Sequence, residues 1–315
     1  MASKETRRKL HAERIAAEQA RVEQLAKEHR QQTIISGIVV AIIAILTITI
    51  CLLVWQPWNK SDESSELTVD QAYEQLQQVE TKPETADSKG GILLSKNGVN
   101  EPVEDVPTVS VYMDFMCSGC GKFNRTVDPT LKKMLDAGQV NIELHPMSFG
   151  DRWSSDSYST RAANMLLYII DHDKNPDHIL DFITNMYDKD FQPEEGSGVK
   201  TSDSQMQEQA LKAGVSQSVV DASVTDQYTT WLKAIDAYTP KRSELWNTSG
   251  DYKGQMTTPT TTINGYYWDM NKAQSTGDDA KEALLASLGI SEDKVGVEGE
   301  LPSIGSEGKP LYDNL

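Results

Sequence analysis

Cysteine is scarce in this chain, with three in 315 residues. That excludes a disulfide-stapled extracellular scaffold, which spaces several cysteines along a short chain. A chain of this length builds a core without staples. Positive charge is also short, and the formal net charge is −17. An acidic chain lacks the basic surface that neutralises phosphates, which argues against a nucleic-acid partner. Imidazole is thinly spread: His11, His29, His145, His172 and His178 form no spaced set. With one close cysteine pair and no second, zinc lacks its remaining ligands, so no metal and no cofactor are expected.

What is present is unevenly placed. Residues 1–32 hold eight Lys/Arg against five Asp/Glu, and nearly all the acidity follows later. Thr33 to Trp55 is an uncharged run of 23 residues (TIISGIVVAIIAILTITICLLVW). A bilayer core takes about 20 apolar residues in helix. Trp55 and Trp58 stand where an interfacial belt falls, and the Lys/Arg excess before the run orients the N-terminus to the cytoplasm. The run exceeds the about 7–15 residues of a signal-peptide core, and Gln56-Pro57-Trp58 offers no small-residue cleavage site. A retained single-pass anchor in the lipid bilayer is therefore expected, with the C-terminal bulk outside.

The expected division is a charged cytoplasmic helical segment at 1–32, a transmembrane helix at 33–55, and an extracytoplasmic linker at 56–90. That linker carries a short helix over Val69–Glu80, capped by Thr68. A folded domain follows at 91–290, then a flexible acidic tail at 291–315. Within the domain, Ile92–Leu94 and Pro107–Phe115 read as strands. Lys122–Leu135 carries apolar residues at helical spacing, and Val140–Leu144 reads as a strand of the same sheet. Strand, helix and strand at this separation make a parallel βαβ unit. Residues 157–238 read as wholly helical. Thr260–Ile263 and Tyr266–Met270 then flank Asn264-Gly265, a two-residue hairpin signal. A last helix over Asp278–Leu288 is closed by Gly289.

Two of the three cysteines stand three positions apart, as Cys117-Ser118-Gly119-Cys120, where a strand gives way to a helix. Cys51 lies in the apolar run and reads as an inert apolar residue. A helix start presents unpaired N–H groups and partial positive charge, so a thiolate at Cys117 is stabilised. Cys117 is then the attacking and attacked sulfur, and Cys120 the more sheltered partner that resolves a mixed disulfide. A purely structural disulfide closing so small a loop gains little.

Asp114-Phe115-Met116-Cys117-Ser118-Gly119-Cys120 resembles the D-[FY]-x-C-x-x-C entry of bacterial DsbA-like proteins of the thioredoxin superfamily. Thr257-Thr258-Pro259-Thr260-Thr261-Thr262-Ile263-Asn264-Gly265 is similar to that family's T-P-T-x-x-x-[VI]-N-G loop. The resemblance covers roughly 91–290. It implies an α/β thioredoxin-like fold with an inserted helical subdomain at about 157–238, here preceded by a single transmembrane helix. It also implies a cis Pro259 beside the cysteines, with Thr258 and Pro259 binding an extended substrate strand. An ordinary proline at a strand start is the alternative for Pro259. The chain departs from the family at Ser118 and Gly119, where proline and often histidine stand; these two positions are assigned to redox tuning. It departs again at Val111, where many relatives place a buried acid, and the group that handles the Cys120 proton stays unassigned.

The implied activity is extracytoplasmic thiol:disulfide exchange, an oxidase that passes its disulfide to exported proteins with cysteine thiols. A membrane partner would reoxidise the pair. Two alternatives stay open: a disulfide reductase or isomerase, and a redox-inactive envelope binding protein with a thioredoxin-like groove.

Overall fold

The computed structural model describes residues 67–270, 272 and 279–311. The expected cytoplasmic segment at 1–32 and the expected transmembrane helix at 33–55 lie outside the described residues. Among the described residues no helix is long and apolar enough to cross a membrane.

The sheet is built around the expected βαβ unit. Strand β3 (Thr108–Met113) leads into helix α2 (Ser118–Asp136) and back to β4 (Asn141–Pro146). β3 and β4 are parallel, with Val109 opposite Ile142 and Val111 opposite Leu144. β1 (Ile92–Ser95) pairs antiparallel with β4 and forms a hairpin with β2 (Gly98–Val99). On the other side β5 (Thr260–Ile263) pairs antiparallel with β3 and turns into β6 (Tyr266–Tyr267). The order is β2-β1-β4-β3-β5-β6. Asn264 and Gly265 both take positive φ, 50° and 77°, as a two-residue hairpin of right-handed twist requires.

Strand alternation divides the side chains of β3 and β4 between two faces. Val109, Val111, Ile142 and Leu144 belong to the main core, with Val127, Leu131, Met134 and Leu135 of α2. The other set is polar and mutually satisfied. Ser110 Oγ donates to Glu143 Oε2 at 2.8 Å, and His145 Nε2 lies 2.9 Å from the same oxygen. Tyr112 stacks on His145 with centroids 4.0 Å apart and accepts from Arg242 Nη1 at 3.1 Å. Burial would raise the Glu143 carboxyl, but His145, Ser110 and Arg242 together pull it down to about 2.

The helical insertion holds α3 (Tyr158–His172), α4 (Pro176–Met186), α5 (Asp203–Lys212), α6 (Gln217–Ala222) and α7 (Thr229–Tyr238). Local signals place its boundaries. Asn175 accepts from Asp177 N at 2.9 Å with Pro176 in the first turn. Ser202 and Gln205 form a reciprocal capping box. The chain returns to α8 (Ala280–Leu288), which packs against α2 and is closed by Gly289 at φ 70°.

Two expectations need correction. The linker expected up to residue 90 is, from Leu67 onward, part of the folded unit. Helix α1 (Val69–Gln77) does form under a Thr68 cap, but it buries Ala72 and Leu76, and Tyr73 meets Tyr238 of α7 at 5.2 Å. The Pro/Gly/Ser stretch after it is held by Asp171 of α3. That carboxylate accepts from Glu84 N, Thr85 N and Thr85 Oγ1. The expected flexible tail is also pinned over 291–311. Gln139 Nε2 donates to the carbonyls of Lys294, Val297 and Glu300, while Gly296 N donates to Gln139 Oε1. Asn264 Nδ2 donates to Gly305 O and Gly308 O, and Ile304 is buried. A polar, glycine-rich composition signals weak local preference, but side-chain amides far away in sequence supply the partners its backbone needs.

Candidate active site

β3 stops at Met113 because Asp114 turns the chain. Asp114 Oδ1 accepts from Met116 N at 2.8 Å, and Asp114 O accepts from Cys117 N at 3.1 Å. That turn sets Cys117 as the N-cap of α2, so the helix starts at Ser118, four residues earlier than the apolar pattern indicated. The Cys117 sulfur takes the place a capping oxygen usually takes, accepting from Cys120 N at 3.3 Å. Cys120 falls one turn inside and is 2 % exposed, against 9 % for Cys117. Both are free thiols.

The two thiols are driven apart in acidity. A hydrogen bond from the Cys120 thiol, outweighing burial and helped by Thr258 and the Cys120 amide, lowers Cys117 to about 7. Burial, with Cys117 next to it, pushes Cys120 well up. One sulfur of the pair is therefore ready to ionise near neutrality while the other keeps its proton.

The second motif lies against the first. Thr258-Pro259 is a cis peptide, and Cys117 Sγ lies 3.2 Å from Thr258 O. Gly119 makes this approach possible: a Cβ there would stand 3.1 Å from Pro259 Cδ and 3.6 Å from Cys117 Sγ. The loop is held from behind by Asn247, which donates to Gln255 O and Thr257 Oγ1 and accepts from Tyr267 OH. A cavity of about 160 Å³ lined by Asn247, Tyr252, Thr258 and Pro259 flanks it. Thus Cys117, Ser118, Gly119, Cys120, Thr258 and Pro259, named from two stretches about 140 residues apart, stand together.

Other residues of the site were not singled out in the sequence. Glu195, on the loop after α4, accepts from Ser118 N at 2.7 Å, so an exposed carboxylate sits on the first amide of α2. Gln192 Nε2 donates to Phe115 O at 3.0 Å and to Cys117 O at 2.9 Å. Gly121 leaves room for it, since a Cβ there would lie 2.0 Å from Gln192 Oε1. Tyr187 OH donates to Asp114 O at 2.9 Å. All three come from the helical insertion, and no local pattern marks them. Val111 lines an apolar cavity of about 180 Å³ between α2, the sheet and α4, together with Asp128 of α2. Burial raises Asp128 to about 7. Among the described residues no cluster of three or more His, Cys, Asp or Glu could hold a metal ion.

A thiol pair at a strand–helix junction, faced by a cis-proline loop on the neighbouring strand, defines the site of a thioredoxin fold. A sequence model of the thioredoxin family matches residues 105–280, more than half of the chain. The chain belongs to that family. Among curated proteins, it is 26% identical over 133 residues to the serine/threonine-protein kinase PknE of Mycobacterium tuberculosis. The match takes in 41% of this chain and 23% of the kinase, so the chain spans about a quarter of the curated relatives it matches. Among solved structures, it is 23% identical to reduced DsbA from Mycobacterium tuberculosis, at a TM-score of 0.46, over 61% of this chain and 94% of that one. It is 20% identical to MdbA, a thiol-disulfide oxidoreductase from Actinomyces oris, at a TM-score of 0.46, over 60% and 82%.

Proposed function

We propose that the protein is a thiol:disulfide oxidoreductase of DsbA type that donates a Cys117–Cys120 disulfide to exported proteins bearing cysteine thiols. The observation that carries this reading is the placing of the pair: Cys117 caps α2 with its sulfur 3.2 Å from Thr258 O beside cis Pro259, and Cys120 is buried one turn further in. A client thiolate attacks Cys117 Sγ, the Cys117–Cys120 bond breaks, and Cys120 leaves and takes up a proton. The client's second thiolate then attacks the client sulfur of the mixed disulfide. A client disulfide forms, Cys117 leaves as thiolate, and two electrons have passed to the enzyme. Oxidation is supported by leaving-group chemistry. The lower-pKa thiol leaves faster, so the mixed disulfide opens at Cys117 when the client attacks, while the protonated Cys120 is slow to attack back.

Thr258 and Pro259 would align the client as an extended strand, and Ser118 and Gly119 would set the potential. In this reading the segment 33–55 anchors the chain in a bilayer, with residues 1–32 cytoplasmic and the redox domain outside, and a membrane partner reoxidises the pair. What supports it is the 23-residue uncharged run and the Lys/Arg excess before it.

Cys120→Ala tests the exchange. Given a client that already holds a disulfide, the variant's Cys117 thiolate attacks one client sulfur and the client S–S bond breaks. With no Cys120 thiol to displace the client, the mixed disulfide accumulates on Cys117 and is released by reductant. A wild-type chain that fails to oxidise a reduced, unfolded substrate sinks the proposal. A reductive role has one observation in its favour. Cys117 lies at about 7, the value of about 7 found in thioredoxin rather than the about 3.5 of DsbA. A reduction potential near that of thioredoxin would favour this second reading.

A further inference from the structure

Asp114 is a buried titratable group that the exchange above does not use. It is 1 % exposed and sits between β3 and the N-cap of α2. Its backbone touches both sulfurs' surroundings: Asp114 O accepts from Cys117 N, and its amide hydrogen-bonds to Cys120. Its carboxylate accepts from Met116 N at 2.8 Å, Gly150 N at 2.7 Å and Ser159 Oγ at 2.6 Å. Gly150 is closed over it, since a Cβ there would stand 2.5 Å from Asp114 Oδ1. All three donors are neutral. The titratable groups that face the carboxylate are Cys117 and Cys120 on its own segment, Asp151 in the turn after β4, Tyr158 of α3, Tyr187 after α4 and Asp236 of α7. None of them carries positive charge. Inside a protein, where the dielectric is low, an uncompensated negative charge so placed acts on a neighbouring thiolate much more strongly than in water.

We propose that Asp114 is a positioning residue of the redox pair: its ionised, uncompensated carboxylate opposes the Cys117 thiolate, which disfavours the reduced pair against the disulfide and couples reduction to proton uptake. This rests on the exchange reading. When two client thiols reduce the Cys117–Cys120 bond, two electrons move to the enzyme sulfurs, the client sulfurs bond to each other, and two protons are left over. One goes to Cys120. With Asp114 ionised, the second stays on Cys117 up to a higher pH; with a neutral side chain at 114 it passes to solvent at a lower pH and leaves Cys117 a thiolate. Burial, opposed by the three hydrogen bonds, raises the Asp114 carboxyl to about 6, so the carboxylate is ionised at neutral pH and loses its charge in mild acid.

The test is Asp114→Asn in the full chain, equilibrated with reduced and oxidised glutathione across pH. Thiolate ultraviolet absorbance is titrated in parallel. At about pH 8 the variant should show a roughly threefold or larger gain in the reduced-to-oxidised equilibrium constant, from a thiolate midpoint lower by about half a pH unit. At about pH 5, where carboxylate and thiolate are both protonated, the two proteins should coincide. A merely structural role would shift the constant equally at every pH. Either that pH-independent shift or no shift overturns the proposal. If Asp114→Asn does not fold, Ser159→Ala keeps the carboxylate and removes one donor. Its thiolate midpoint should then respond to a carboxyl titrating higher than in the wild type, and an unchanged pH profile would equally overturn the proposal. A wild-type chain that does not exchange with glutathione at all defeats the exchange reading itself, which separates the two failures.

Discussion

Acidification from neutrality should stabilise this protein. Three carboxyls are raised by burial: Asp114 from 3.8 to about 6, Asp236 from 3.8 to about 6, and Asp128 from 3.8 to about 7. Each binds its proton more tightly folded than unfolded. Each therefore stabilises the fold at low pH, and that contribution is lost as pH rises from 3.8 through the folded value. Between about pH 7.5 and about pH 5, Asp114 alone should return about 1 kcal/mol, and Asp236 about as much. Glu143 runs the other way. Its carboxyl is lowered from 4.5 to about 2, so its contribution is present above 4.5 and lost as pH falls through 2. On these groups stability should therefore already stand about 2 kcal/mol or more above its pH 7.5 value at about pH 5, and go on rising below it until the loss at Glu143 overtakes the three raised carboxyls at about pH 3.5. Urea denaturation followed by tryptophan fluorescence at graded pH measures this, and Asp114→Asn should flatten the rise by about 1 kcal/mol. A stability that is level or falls steadily from pH 7.5 to pH 5 would refute the burial argument for all three carboxyls.

Three further outcomes are expected. Gly121→Ala puts a methyl 2.0 Å from Gln192 Oε1, so the amide must leave Phe115 O and Cys117 O; the loss should be roughly 1–3 kcal/mol in denaturant midpoint, and faster alkylation of Cys117 should accompany it. Asp171→Ala removes the acceptor of Glu84 N, Thr85 N, Thr85 Oγ1 and Tyr228 OH. With buried donors left unpaired it should cost about 3 kcal/mol or more, and protease should then cut between residues 78 and 91. Gln139→Ala releases the three carbonyls at Lys294, Val297 and Glu300; limited proteolysis should trim the chain after residue 291 while glutathione exchange persists, and resistance to trimming would show that Gln139 is not the clasp.

Much of the candidate site was legible because its signals are local. Cys117 and Cys120 sit one turn apart on any helix that begins between them. Asn264-Gly265 can hardly do anything but turn. Pro259 was assigned by resemblance, and Gly119 explains sterically why the loop can stand so close. The parallel pairing of β3 with β4 followed from the length of the βαβ unit, whereas the place of β5 on the other edge of β3 did not. The misses share one cause. Residues 81–90 and 291–311 are polar and poor in periodic apolar residues, so each reads as loose when taken alone, and the apolar stripe of α1 does not by itself say what covers it. Asp171, Gln139 and Asn264 hold them through hydrogen bonds that span 40 to 160 positions. Gln192, Glu195 and Tyr187 were missed for the same reason, since their chemistry exists only once the insertion folds over α2.

By itself the amino-acid sequence determined the residue types at the redox centre, the secondary structure that carries them and the uncharged run at 33–55. These rest on propensity, periodicity and short-range sterics, which act between neighbours along the chain. Tertiary structure alone decided the burial that keeps Cys120 protonated, the approach of Thr258 to Cys117 and the burial of Asp114 beside them. All three depend on which groups exclude water and which donors approach from remote segments, and a one-dimensional pattern does not encode those distances.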